Sequence, residues 1–201
     1  MTLSTYHQKY SEKSDEELAK RAEVKNEELA QIFAATPLLS KNNPLRVAVM
    51  GCGDKRFVQF HKKYFAERLG KTIELTTFDI SIEHLSGEEN VIQHDCTLPL
   101  PNTPYDITYA HVLLKFIPIE KQWAVLKNSY DALCAGGIAI HVLDTEDYSG
   151  AQLADGLYSV PLEKLEEYLK QNNIQYTKTV LHVGPNQNIE ALALLLIKPL
   201  A

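Results

Sequence analysis

From Leu45 onward the chain alternates short apolar runs of β type with amphipathic helical stretches, and this alternation restricts the fold more than any other feature. Leu45 to Met50 is a strand-like run that ends at Gly51-Cys52-Gly53. A helical stretch follows, with Phe57, Phe60, Tyr64, Phe65 and Leu69 on one face and Gly70 as its stop. Ile73 to Phe78 is a second strand with Asp79 at its end, and Val91 and Ile92 form a brief third, closing at His94-Asp95. A turn marked by Pro101, Asn102 and Pro104 leads into a fourth strand, Tyr105 to Ala110. Ile119, Trp123, Leu126, Tyr130 and Leu133 then recur at helical spacing up to Gly136-Gly137, and Ile138 to Leu143 is a fifth strand. A polar loop over 145–159 precedes a helix opened by Pro161 as a first-turn proline, carrying Leu162, Leu165, Tyr168 and Leu169. Two β-rich runs, Ile174 to Val183 and Ile189 to Ile197, flank Gly184-Pro185-Asn186-Gln187-Asn188 and predict an antiparallel hairpin. Strands separated by helices build βαβ units, so the expected architecture is α/β: a doubly wound, mainly parallel sheet with a C-terminal antiparallel hairpin.

The segment before this region differs in character. Ser14 and Glu17 form a capping-box pattern, and Leu18, Ala22, Leu29, Ile32 and Phe33 fall near helical spacing. Pro37 and Pro44 then break the helix. We therefore expect an N-terminal helical cap or lid over residues 1–36 and an α/β domain over 37–201. With 201 residues the chain buries roughly 70% of the surface that its unfolded form exposes. Twenty Lys and Arg against twenty-six Asp and Glu leave a net charge of −6, which argues against nucleic acid as the main partner. The three cysteines, Cys52, Cys96 and Cys134, form no CxxC pair, so neither a disulfide framework nor a structural zinc site is expected. The N-terminus has no signal-peptide pattern, and the longest clean apolar run, Ala191 to Ile197, is far short of the ~20 residues of a membrane span. The expectation is a cytoplasmic protein without a membrane partner, either monomer or homodimer.

In such sheets ligands bind beyond the carboxyl ends of the strands, where the strand order reverses. The residues at those ends are Gly51-Cys52-Gly53, Asp79 with Ile80 after it, His94-Asp95-Cys96 and Ala110-His111. A glycine-rich turn lets a ligand approach the backbone, and an acid at the neighbouring strand tip can accept both hydroxyls of a ribose. The dinucleotide fingerprint would need glycine where Arg56 stands, and no P-loop pattern occurs.

Taken in order, RVAVMGCGDKR (46–56), FDIS (78–81), HDCTLPLPNTPYD (94–106), ITYAHVLLKFI (107–117) and ALCAGGIAIHV (132–142) resemble class I S-adenosylmethionine-dependent methyltransferases. The likeness is greatest to the small-molecule branch of that family. It spans about residues 45–145 and continues loosely through the final helix and hairpin. The resemblance implies a seven-stranded Rossmann-like sheet, S-adenosyl-L-methionine as cofactor and a small or medium acceptor. It also implies a cofactor site of Gly51, Cys52 and Gly53 at the methionine and ribose, Asp79 and Ile80 at the ribose, Asp95 and Cys96 at the adenine, and Ala110 and His111 on the methyl side. In related enzymes a segment like that bearing Tyr6, His7 and Tyr10 folds over the mouth of the site. Two positions depart from the family pattern: Val49 replaces the usual acid two residues before the first glycine, and Lys55 replaces a third glycine. These departures leave open an alternative, a non-catalytic module that binds an adenosine metabolite or a protein partner.

Plainer roles are open to the same residues. Asp79 could cap a short helix starting at Ser81, Asp95 could form a turn with Thr97, and Lys55 and Arg56 could be a solvated helix start. Cys52 reads as a small buried side chain rather than a nucleophile, and His111 as a structural histidine or a base. His94, Asp95 and Cys96 point in alternate directions on an extended chain, so they do not form a metal set. No catalytic residue is named by the sequence.

Overall fold

The computed structural model describes residues 12–200; Tyr6, His7 and Tyr10 lie outside the described residues. The elements are α1 (Asp15–Ala35), β1 (Leu45–Met50), α2 (Arg56–Leu69), β2 (Ile73–Asp79), β3 (Val91–Gln93), β4 (Tyr105–His111), α3 (Ile119–Asp131), β5 (Leu133–Asp144), the single turn α4 (Thr145–Tyr148), α5 (Leu162–Gln171), β6 (Gln175–Val183) and β7 (Ile189–Ile197). They form one seven-stranded sheet in the order β3-β2-β1-β4-β5-β7-β6. β1 to β5 pair in parallel, and β7 runs antiparallel to both β5 and β6. The strand order reverses between β1 and β4, which places a crevice at their carboxyl ends.

Side chains alternate across each strand, so the apolar runs serve two cores. On one face Val47, Val49, Ile107, Tyr109 and Ile140 pack under α1 and α2. On the other, Ala139, Leu143, Leu194 and Leu196 pack under α3 and α5. No helix intervenes between β3 and β4; Cys96 and Leu100 of the connecting loop cover Met50, Phe78 and Ala110 instead.

The capping box forms: the Ser14 hydroxyl accepts from Glu17 N–H at 3.2 Å, and the Glu17 carboxylate accepts from Ser14 N–H at 3.1 Å. Leu18, Ala22, Leu29 and Ile32 of α1 enter the same core as the sheet. Polar clasps fix the helix over the hairpin. The Gln31 side-chain amide donates to His182 O at 2.7 Å and accepts from His182 N–H at 3.1 Å, and Glu27 accepts from Gly184 N–H at 2.7 Å. Among the described residues no helix is long and apolar enough to cross a membrane.

The structure differs from the sequence reading at three joints. Gly136-Gly137 does not end a helix but lies inside β5: α3 stops at Asp131 and Leu133 already pairs with Tyr105. Gly136 takes φ +77°, and a Cβ on Gly137 would come within 2.9 Å of Asp106 O. Pro161 is the N-cap of α5 rather than its first helical residue, and one helical turn, α4, occupies the start of the 145–159 loop.

Candidate functional site

The turn after β1 is built by its two glycines and held by the acid of β2. Gly51 N–H donates to Phe78 O at 2.8 Å, and Gly51 takes φ +74°. A Cβ there would sit 2.9 Å from Leu113 Cδ1, so this backbone turn requires glycine on two counts. Cys52 N–H donates to Asp79 Oδ2 at 2.8 Å, and Ser81 N–H reaches Asp79 Oδ1 at 3.3 Å. His84 Nε2 donates to Cys52 O at 2.7 Å, bracing the turn from the other side. Asp79 thus fastens the first strand's turn to the tip of the second, while Ile80 next to it is 62% exposed, unusual for a large apolar residue.

Cys52 and Cys96 are buried side chains rather than nucleophiles. Burial pushes both thiols up to about 12, which keeps them protonated. Asp95 makes the turn that its neighbours suggest: Oδ1 accepts from Thr97 N–H at 2.9 Å and from the Thr97 hydroxyl at 2.8 Å, and these bonds lower its pKa. Lys55 is exposed and does not fill the turn. Arg56 is committed elsewhere. It grips the buried Asp54 carboxylate through Nε (2.8 Å) and Nη2 (2.7 Å), and reaches Asp15 of α1 at 2.7 Å.

Beyond β4 the structure brings together residues that sequence spacing does not connect. Ala110 is buried at the strand tip, and His111 Nε2 lies 2.9 Å from the carboxylate of Glu28, a residue of α1 that is only 3% exposed. A proton on Nε2 shared with that carboxylate leaves Nδ1 as the basic nitrogen. Val112, immediately after, takes φ +55° while its N–H bonds to Val142 O at 2.8 Å. A β-branched residue in that region is strained, and such strain persists where the surroundings over-determine it.

A cavity of about 700 Å³ opens here, under α1 and against the carboxyl ends of β4 and β5 and the β6–β7 turn. Lys25 and Glu28 of α1, His111, Asp144, Pro185 and Ile189 are among its lining. Glu28 and Lys25 were not singled out in the sequence. For Lys25 a signal was there: 18, 22, 25, 29 and 32 form one continuous buried-side stripe, with a lysine in its middle. Asp144, with Glu146 and Asp147, forms an acidic group close enough to share a cation. In this structure the ammonium of Lys115 fills that role, at 2.8, 3.2 and 3.0 Å from the three carboxylates.

A seven-stranded sheet in this order, with its antiparallel β7 and a glycine turn facing an acid at the reversal point, is the Rossmann-like methyltransferase fold. It is similar to an S-adenosylmethionine-dependent methyltransferase from Clostridium acetobutylicum (TM-score 0.62, 12% identity, 88% of this chain and 92% of that one). It is also similar to magnesium protoporphyrin IX methyltransferase from Synechocystis with S-adenosylhomocysteine bound (TM-score 0.59, 13% identity, 90% and 84%). The [4+2]-cyclase SpnF shares the fold as well (TM-score 0.60, 15% identity, 87% and 81%). At these identities the likeness is one of fold. No protein-family model matches the chain, and no curated protein does.

Proposed function

We propose that this protein is a class I S-adenosylmethionine-dependent methyltransferase acting on a small-molecule acceptor. The observation that carries the reading is the Asp79–Cys52 bond at the point where strand order reverses; of the residues assigned below, His111 also lines the cavity under α1, whose volume suits a small substrate. The residues fit an adenosine ligand. Gly51 leaves room that a side chain would take, Asp79 has carboxylate capacity beyond its two backbone bonds, and Ile80 offers an apolar face next to it. In this reading Gly51, Cys52 and Gly53 line the amino-acid end and ribose, Asp79 and Ile80 the ribose, Asp95 and Cys96 the adenine, and Ala110 and His111 the methyl side. The bound cofactor supplies an electrophilic methyl group on a sulfonium.

The chain's own contribution is chiefly positioning. Well-oriented reactants are worth roughly 7–11 kcal/mol of barrier, more than a general base usually adds. α1 roofs the cavity and limits water entry, and His111, oriented by Glu28, is the group placed to take a proton from an acceptor's O–H or N–H. Calorimetry with S-adenosylmethionine and S-adenosylhomocysteine tests the reading. Binding of both is expected, with Asp79→Asn weakening it by about 1–3 kcal/mol through loss of a charged acceptor. No heat from either ligand at millimolar concentration would remove the proposal.

A further inference from the structure

Lys25 stands where an apolar residue belongs. It occupies the middle of the α1 stripe whose other members, Leu18, Ala22, Leu29 and Ile32, are each 1% exposed or less. Its ammonium lies 5.1 Å from the centroid of the Phe57 ring, a cation–π contact at the start of α2. Among the described residues it makes no hydrogen bond and no ion pair, unlike the other charged residues around it. Glu28 holds His111, Glu27 holds Gly184, Glu23 accepts from Asn26, and Asp144 holds Lys115. The cavity therefore holds a half-buried ammonium that no anion of the described residues contacts; desolvation lowers its pKa to about 8, and Glu28 and Asp144 offset this only in part. Unpaired buried charge is expensive, and a fold retains it where a ligand completes the pair.

Its surroundings say which end of a ligand would do so. The Phe57 ring lies against it, and Cys52 of the turn after β1, Glu28 and Asp144 are near enough to act on its charge. Val49, two residues before Gly51 on the same face of the sheet, is fully enclosed in the apolar core. That position offers a ligand's ammonium nothing, whereas Lys25 offers a carboxylate a charged donor.

We propose that Lys25 is the anchor for the carboxylate of the cofactor's amino-acid end, so that this site recognises that end through its anion. The inference rests on the methyltransferase reading and names one residue's part in it. The ammonium donates to the carboxylate, and the Phe57 ring holds it in place.

Calorimetry with two commercial probes tests it. S-adenosylhomocysteine carries the amino-acid end; 5′-methylthioadenosine has the same adenosine and thioether without it. The full-length wild type should bind the first more tightly. Lys25→Met should lower affinity for S-adenosylhomocysteine roughly 10–100-fold and leave 5′-methylthioadenosine unchanged. Lys25→Arg should restore most of the loss. Unchanged S-adenosylhomocysteine affinity in Lys25→Met, or an equal loss for both probes, overturns the assignment while the methyltransferase reading stands. A wild type that binds neither probe overturns both.

Discussion

The unpaired ammonium of Lys25 has a consequence for the protein without ligand: replacing it should make the fold more stable. An unperturbed lysine titrates at 10.5 and this one at about 8, so holding it protonated at neutral pH works against folding. The difference corresponds to roughly 3 kcal/mol if fully realised. The side chain is half-buried and partly screened by solvent, so about 1–3 kcal/mol is the working range. Lys25→Met keeps the length of the chain and removes the charge. For a protein of this size that gain raises the melting temperature by roughly 2–12 °C. The pH dependence identifies the cause. In the wild type the penalty is complete below pH 8 and disappears as pH rises to 10.5, because the native state gives up its proton before the unfolded state does. The stability gap between variant and wild type should therefore narrow between those values, leaving only the pH-independent contribution of the methionine. Chemical denaturation at pH 7, 9 and 10.5 measures it. A variant no more stable than wild type at pH 7, or a gap that stays constant with pH, would refute the reasoning.

Gly51→Ala should lose about 1–3 kcal/mol, since alanine resists φ +74° and its Cβ meets Leu113. Adding Leu113→Ala relieves the contact but not the backbone strain, so urea midpoints that returned fully to wild type in the double variant would contradict this account. His141 is fully buried, its Nε2 donating to the Ser129 hydroxyl at 2.8 Å, and burial lowers its pKa from 6.5 to about 4. Stability tied to its neutral form is complete above pH 6.5 and falls by on the order of 3 kcal/mol as pH drops to 4. His61, enclosed between Phe57 and Tyr109, shifts the same way for the same reason. His141→Gln should flatten the acid limb of a stability–pH curve; parallel limbs would exclude the role.

Much of the sheet could be read from the chain because parallel strands buried on both faces leave unbroken apolar runs. β1 and β7 appear in the structure with the limits that their apolar runs give, and Gly70 ends α2 in the left-handed conformation expected of it. The place of Asp79 was legible for a related reason: it ends the second apolar run, and there it meets the glycine turn. What escaped the sequence depends on register and on helix docking. Glu28 meets His111 only because α1 lies over the carboxyl end of β4, and no local pattern encodes that contact across 83 positions. Asp106 looks like part of a motif with Tyr105, yet it lies at the amino end of β4, away from the crevice at the carboxyl ends. There it gathers the Ser40 hydroxyl, the Asn42 side chain and Arg46 N–H. The extended start of β5 was hidden by its glycines, which read as a stop and act as close-packed strand residues.

Lys25 and Glu28 also tie the site to the fold in a way that a cap joined to a separate domain would not. Leu18, Ala22, Leu29 and Ile32 are buried in the same core as β1, β4 and β5, with α1 lying along α2 and β6, and three of them are large side chains worth roughly 1.5–3 kcal/mol each on burial. Their sum is comparable with the entire stability of an ordinary domain. Deleting residues 1–36 should therefore do more than open the cavity. It uncovers Val49, Tyr109 and Ile140 and frees the clasp at His182 and Gly184, so the remainder should lose cooperative thermal unfolding. A truncated chain that keeps a sharp transition and wild-type circular dichroism would show that α1 is dispensable to the sheet. The gentler cut, removal of residues 1–11, spares the capping box at Ser14 and every α1 contact named above. It is the control in which α1 and its place in the core are kept. The difference between the two truncations measures what residues 12–36, α1 above all, add to the stability of the core.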